Sequence, residues 1–296
     1  MFLYETHLHT CQGSACGVSP GRDYIRKYKD LGFTGIMVTD HFFNSNTTAD
    51  RCLPWRDWVN AYCAGFEDAR EEGEKLGLDV FFGWEETFDG DDYLVYGLDK
   101  AWLFDHPELV RWTRAEQFRE VRKHGGCVIQ AHPFRQHSYI RQLHLAPFLV
   151  DGIEAANDGN HEAVYDGLAM EYARLLGLPA VAGSDIHDAD DLLSDEPYGV
   201  EFETRLDSVN DYVRIILEGK GSVTANGTIS LHIPPGRCDY RKEDGARRFA
   251  LKVDIRDRAD KPVGKPTIMN FDKIRAYIGG IGKVSDSGQG VRKWQS

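Results

Sequence analysis

Short apolar runs alternate with amphipathic stretches through the first 220 residues of the chain. Phe2, Leu3 and Tyr4 open a strand that carries on through Glu5-Thr6-His7-Leu8-His9-Thr10. A Gly- and Cys-containing loop leads to Ser19-Pro20, an N-cap followed by a proline suited to a first helical turn, so a helix is predicted over 21–30 and stopped by Gly32. The β-branched and apolar run Gly35-Ile36-Met37-Val38-Thr39 is a second strand. Over 55–76, Trp, Val, Tyr, Phe and Ala recur at helical spacing with charges opposite, which predicts one long amphipathic helix closed by Gly77. Further strands are predicted at 78–84, 93–96, 127–130, 152–156, 180–183 and 198–202, with helices over 114–123 and 209–217.

About seven βα units in succession have few packing solutions, and the predicted fold class is α/β, a parallel barrel. Internal sequence repeats are not evident. From about Gly221 the periodicity weakens into Asn226-Gly227, Pro234-Pro235-Gly236 and scattered charges. The chain therefore divides into a barrel over 1–220 and a C-terminal appendage over 221–296, to which the sequence assigns no role. Within the appendage, residues 248–255 alternate at period two and predict a β-ribbon against the barrel.

With 296 residues and 42% hydrophobic content, the chain can bury a substantial core. Its 47 acidic and 35 basic residues give a formal charge of -12, which disfavours long nucleic acids and suits a small substrate. A phosphorylated substrate fits this balance if bound divalent cations reverse the local field. No segment resembling a signal peptide precedes the first strand and no apolar run reaches the ~18 residues of a membrane span, so a cytoplasmic location without membrane contact is expected. Six cysteines (Cys11, Cys16, Cys52, Cys63, Cys127, Cys238) lack zinc-ribbon or disulfide-framework spacing and are expected as thiols. Oligomeric state is not indicated.

Strand side chains alternate faces, so His7 and His9 point the same way and can meet one ion. A pair of histidines two apart also occurs by coincidence, and the rest of the chain decides between the two. His41, Glu85, His132, Asp185 and His187 also fall at or just past the C-terminal ends of predicted strands, which in a parallel barrel is a single rim. Imidazole mixed with carboxylate suits Zn, Mn or Fe better than Ca or a structural thiolate zinc.

In chain order, His7-Leu8-His9-Thr10, Thr39-Asp40-His41, Gly83-Trp84-Glu85, Ala131-His132-Pro133 and Gly183-Ser184-Asp185-Ile186-His187 resemble the motifs of the PHP (polymerase and histidinol phosphatase) superfamily of metal-dependent phosphoesterases. The resemblance covers roughly residues 1–220. It implies a distorted (β/α)7 barrel of the PHP type and a centre of two or three divalent metal ions (Zn, Mn or Fe) that hydrolyses phosphate esters. By matched motif, His7, His9, Glu85 and Asp185 form one metal position. Glu85 bridges to a second that uses His132, and His41 and His187 serve the remaining one. The chain departs from the pattern at 13–17, where many relatives carry Asp or His, and at Tyr93, where many carry a His after the Glu motif. Cys16 is then either a replacement thiolate ligand or a small loop residue; Cys11 has less claim.

Asp40 is a candidate for proton transfer, or for holding the His41 ring as its hydrogen-bond partner. Arg135 is a candidate for binding substrate phosphate through its planar fork, against a solvent-facing or structural role. Glu86 is expected to turn away where Glu85 turns in, and Asn157 either touches substrate or ends a strand. His106, His124, His137, His144, His161 and His232 occupy no predicted strand end and are expected on the surface or in loops. The expected activity is hydrolysis of a small phosphomonoester by a metal-activated water. Protein phosphotyrosine or a short oligonucleotide end is an alternative substrate, and a non-catalytic metal-binding regulatory module is the alternative of a different class.

Overall fold

The computed structural model describes residues 1–137, 140, 142–192, 198–219, 229–232, 251–262, 265, 267–269, 273 and 276. β1 (Phe2–Leu8) is followed by α1 (Gly21–Asp30), β2 (Gly35–Val38), α2 (Trp55–Tyr62) and α3 (Ala64–Leu76). Then come β3 (Asp79–Phe88), β4 (Asp91–Tyr96), α4 (Lys100–Asp105), α5 (Arg114–Lys123), β5 (Cys127–Gln130) and the short β6 (Leu143–Leu145). β7 (Gly152–Asn157), α6 (Ala163–Leu176), β8 (Ala180–Gly183), β9 (Gly199–Phe202) and α7 (Val209–Glu218) complete the part expected as a barrel. Beyond it lie β10 (Ile229–His232), β11 (Leu251–Ile255) and β12 (Thr267–Met269).

Nine of the described strands form one sheet in the order β10-β9-β1-β2-β3-β4-β5-β7-β8, and β12-β11-β6 form a second. The first curls until the chain leaving β8 meets the end of β1: Asp185 N–H donates to His7 O at 2.8 Å and His9 N–H to Ile186 O at 3.0 Å. The result is a nearly closed, barrel-like sheet of eight strands with β10 added on β9. Its pairing is mixed where a parallel barrel was expected. β4 runs antiparallel to both β3 and β5, and β9 antiparallel to β1. For β4 the cause is a hairpin: β3 continues past the predicted end at 84 and turns at Asp89-Gly90, whose φ values of 57° and 93° suit a tight two-residue turn.

The helix predicted over 55–76 is two helices meeting at Cys63. The break lets the start of α3 approach the loop after β1 so closely that a Cβ at Gly65 would fall 1.9 Å from Thr10 Oγ1. Inside the sheet, Tyr4, Met37, Leu94, Ile129 and Val181 pack with Tyr212 and Ile216 of α7 in one buried cluster. Phe42, Trp58, Tyr62 and Trp84 belong to a larger aromatic-rich cluster, with Phe42 and Trp58 edge to face at 5.2 Å.

The described residues beyond 220 are joined to this body. β10 pairs with β9, and β11 pairs with β6 on one side and β12 on the other. Arg114, 1% exposed, donates to Tyr93 Oη at 2.6 Å and to the carboxylates of Asp89 and Asp260. His144 was expected at the surface but is buried in β6, its Nδ1 against the Asp91 carboxylate, because β11 covers it. His232 lies in β10 and not in a loop. Asn226-Gly227, Pro234-Pro235-Gly236, residues 248–250 and Cys238 lie outside the described residues. Among the described residues no helix is long and apolar enough to cross a membrane.

Candidate metal centre

His7 and His9 enter the rim from the same face of β1, both fully buried. Their Nε2 atoms stand 3.1 Å apart, and the Asp185 Oδ1 lies 3.4 Å from the first and 3.0 Å from the second. Gly183 allows this crossing, since a Cβ there would come within 2.5 Å of His7 Cβ. Past β2, His41 forms a parallel bridge with Glu85 of β3, which sets its Nδ1 2.7 Å from Glu85 Oε2. His132, just after β5, places Nε2 3.4 Å from Glu85 Oε1. Both His132 (φ 25°) and Asp185 (φ 57°) occupy positive φ, where non-glycine residues store strain of order 1–3 kcal/mol, as is common at functional sites. Three ligand-type clusters result: His7 with His9 and Asp185, His7 with Glu85 and His132, and His9 with His41 and His187, each with its ligand atoms within 4.8 Å.

Each inner imidazole is oriented from behind. His7 Nδ1 meets Glu154 Oε1 at 2.9 Å. His187 Nδ1–H donates to the Asp185 carbonyl at 2.7 Å. The third case is a relay: the Ser14 hydroxyl donates to Asp40 Oδ1 at 2.7 Å, so Ser14 Oγ accepts from His9 Nδ1–H at 3.0 Å. In all three rings the Nδ1–H is held by an acceptor, which leaves Nε2 as the atom turned toward the site for a ligand bond.

Burial alone would raise Glu85 and Asp185, but the imidazoles of His41 and His7 outweigh it for Glu85, and His7 with Arg135 for Asp185; both carboxyls lie well below the ordinary range. His9 is lowered to about 3, by burial and then by His41. His7 is raised well above its ordinary value: burial opposes this, and Asp185, Glu154 and Glu85 override it. Neither oxygen of the buried Glu85 receives a directed hydrogen bond. Buried carboxylates are paired or coordinate metals, and here the donor set around Glu85 is imidazole and carboxylate, which fits divalent ions.

A cavity of about 480 Å³ opens onto these groups, with Cys16, Asp92, Arg135 and His187 also on its wall. Cys16 would be raised by burial, but His187 and His41 bring its thiol down to about 6. Cys11 does not line this cavity. Arg135 holds Asp185 Oδ2 at 2.5 Å, Asn157 Oδ1 at 2.6 Å and Asn160 Oδ1 at 2.9 Å. Asn157 is buried and passes its own amide to Glu154 Oε2 at 2.9 Å. Glu86 faces the other way and accepts from Gln117 of α5 at 3.0 Å.

Asp40 stands elsewhere than expected. Its carboxylate accepts from Thr10 N–H at 2.6 Å, Thr10 Oγ1 at 2.7 Å and Ser14 Oγ, and it does not line the cavity. The His41 ring is met by Glu85 and by Ser45 Oγ at 3.2 Å instead. Tyr93 turns from the site onto Arg114, and its neighbour Asp92 faces the cluster with Oδ2 3.9 Å from His132 Nε2. Sequence reasoning missed Asp92, Ser14 and Glu154; the signal for the last is a lone acid in the apolar run Gly152-Ile153-Glu154-Ala155-Ala156.

The chain matches no family model and no curated protein. Among solved structures it is similar to a two-domain protein from Bacteroides vulgatus containing a predicted PHP-like metal-dependent phosphoesterase, with 19% identity and a TM-score of 0.56 over 78% of this chain and 64% of that one. The chain thus spans just under two thirds of that protein. It is also similar to a protein from Bifidobacterium adolescentis provisionally described as a metal-dependent phosphoesterase, with 17% identity and a TM-score of 0.47 over 73% of this chain and 96% of that one. The first likeness shows the fold, a barrel of the PHP type.

Proposed function

We propose that the protein is a metal-dependent phosphoesterase that hydrolyses a small phosphomonoester. The observation that carries the reading is the buried Glu85 carboxylate, which receives no well-directed hydrogen bond although the imidazoles of His7, His9, His41 and His132 stand 2.7 to 3.5 Å from it. His7, His9 and Asp185, then Glu85 with His132, then His41 with His187 are the residues that would hold divalent ions. Such ions, when bound, supply a water of lowered pKa and positive charge toward phosphoryl oxygens. The chain's own residues do the rest. Glu154, Ser14 and the Asp185 carbonyl keep the imidazole lone pairs turned inward. Arg135 fixes Asp185 and adds a permanent cation to the cavity wall. Asp92, raised to about 6 by burial and then by Glu85, can hold a proton on the same wall near neutral pH.

A cavity of about 480 Å³ matches a small ligand. The net charge of -12 repels a long polyanion beyond the site. The similarity to a protein containing a predicted PHP-like metal-dependent phosphoesterase agrees with the reading. Hydrolysis is to be compared on nucleotides, sugar phosphates, phosphotyrosine peptides and oligonucleotides of increasing length, with Mn or Zn supplied at matched ionic strength. Small esters should be the best substrates, and Asp185→Ala should lose metal and turnover together. Full metal content and activity in that variant would overturn the reading, and efficiency rising with oligonucleotide length would overturn its substrate class.

A further inference from the structure

This inference rests on the metal-centre reading above and concerns Cys16, a donor in the cavity wall that the motifs do not supply. The loop after β1 is tied down by backbone hydrogen bonds from Ser14 to Thr10 O (2.9 Å), Ala15 to Asn46 O (2.8 Å), Gly17 to Ser14 O (3.0 Å) and Val18 to His187 O (2.7 Å). It is thereby held against the segment carrying His187, with Cys16 on the same wall as His41 and His187. The ring of His9 lies 4.4 Å, centroid to centroid, from each of those two.

Counting lone pairs shows what is missing. His9 gives its Nδ1–H to Ser14 and has one free nitrogen, which already points at Asp185 Oδ1 3.0 Å away. One lone pair serves one ion. When His9 is used with His7 and Asp185, the outer cluster keeps only two imidazoles, and a bound ion ordinarily takes at least three protein ligands. A second observation marks this side of the cavity as cation-binding: Glu85, 1% exposed, has no well-directed hydrogen bond at either oxygen, although its Oε2 stands 2.7 Å from His41 Nδ1.

We propose that Cys16 Sγ is a thiolate ligand which, with His41 and His187, holds an ion at the outer edge of the centre. The S–H proton leaves to solvent as the sulfur–metal bond forms. A thiolate biases the position toward Zn, Fe or Co and against Mg or Mn, which prefer oxygen. Cys11 and Cys52, which do not line the cavity, take no part.

The test is titration of the full chain with Co(II) alone, under reducing, thiol-free conditions. Thiolate ligation gives an intense near-ultraviolet charge-transfer absorption that imidazole and carboxylate do not. The band should appear in the wild type and in Cys11→Ser and Cys52→Ser and vanish in Cys16→Ser, whose weakest cobalt affinity should fall at least ~10-fold. Cobalt bound without the band, or a band that survives Cys16→Ser, overturns the assignment and leaves the metal centre standing. If the chain binds no cobalt, the assignment and the centre fall together. Should Cys16→Ser not fold, wild-type protein saturated with zinc is alkylated and mapped by peptide mass: protected Cys16 supports the assignment, and unprotected Cys16 overturns it.

Discussion

Replacing Ser14 by alanine removes one oxygen that serves three partners. Ser14 Oγ accepts from His9 Nδ1–H at 3.0 Å and from the His41 backbone N–H at 2.9 Å, and donates to Asp40 Oδ1 at 2.7 Å. Asp40 keeps both donors of Thr10, so its loss is small. The two N–H groups are left buried without an acceptor, at about 1–3 kcal/mol each. Ser14→Ala should therefore lose about 2–6 kcal/mol of folding stability, measured by denaturant melts in chelator. The more specific consequence is on the metal. With no acceptor at Nδ1, His9 is free to move its proton to Nε2, where it blocks the ligand lone pair. Loss of such an orienting partner weakens metal binding roughly 10–100-fold. Competition with a chelator of known affinity reads this directly, and a wild-type affinity in a folded, destabilised Ser14→Ala would refute the relay from Asp40 through Ser14 to His9.

Three further outcomes follow from other parts of the structure. Glu86 is raised from 4.5 to about 7 by burial, so the folded state holds its proton more tightly than the unfolded chain; that stability is full below about pH 4.5 and lost as pH rises through about 7. Glu86→Gln should flatten the stability profile over that window by up to about 3 kcal/mol, measured by denaturation at a series of pH values. Arg135→Lys keeps the charge but not the fork that spans Asp185, Asn157 and Asn160, and should raise KM for a phosphomonoester by about tenfold with metal content retained; an unchanged KM would leave the residue a purely structural role. Arg114→Met unties Asp260 from the barrel and should cost about 2–3 kcal/mol in a denaturant melt, toward the low end for a broken buried ion pair because Asp89 and Asp260 can reach water.

The rim was legible because each ligand sits in a local motif at or just past the end of a predicted strand, so strand positions alone brought His7, His41, Glu85, His132 and Asp185 to one side. Strand direction was not legible: Tyr93-Leu94-Val95-Tyr96 reads the same whether it runs with or against its neighbours. Asp89-Gly90 did carry the hairpin signal, and reading it would have turned β4 around. The break at Cys63 follows from how closely Gly65 meets Thr10, a contact between distant parts of the chain. Glu154 is 147 positions from His7, and nothing near either residue announces their contact.

Register accounts for the remaining error, and it bears on the charge of the centre. Along β4 alternate residues face opposite ways, so taking Tyr93 as the residue beside the site assigned an aromatic where Asp92 stands. The carboxylates at the proposed centre are then Glu85 and Asp185, both ionised, with Asp92 holding a proton below about pH 6. Divalent ions at the two inner positions would bring +4 against the -2 of those two carboxylates. The remaining +2 is the size of a phosphomonoester dianion, and Arg135, whose partner Asp185 is already counted, adds one more positive charge to the wall. A phosphodiester carries half that charge and would leave the centre under-neutralised. An ionised Asp92 would take one unit from that surplus, so the preference for a terminal phosphate over an internal one is weaker with Asp92 ionised than with it protonated.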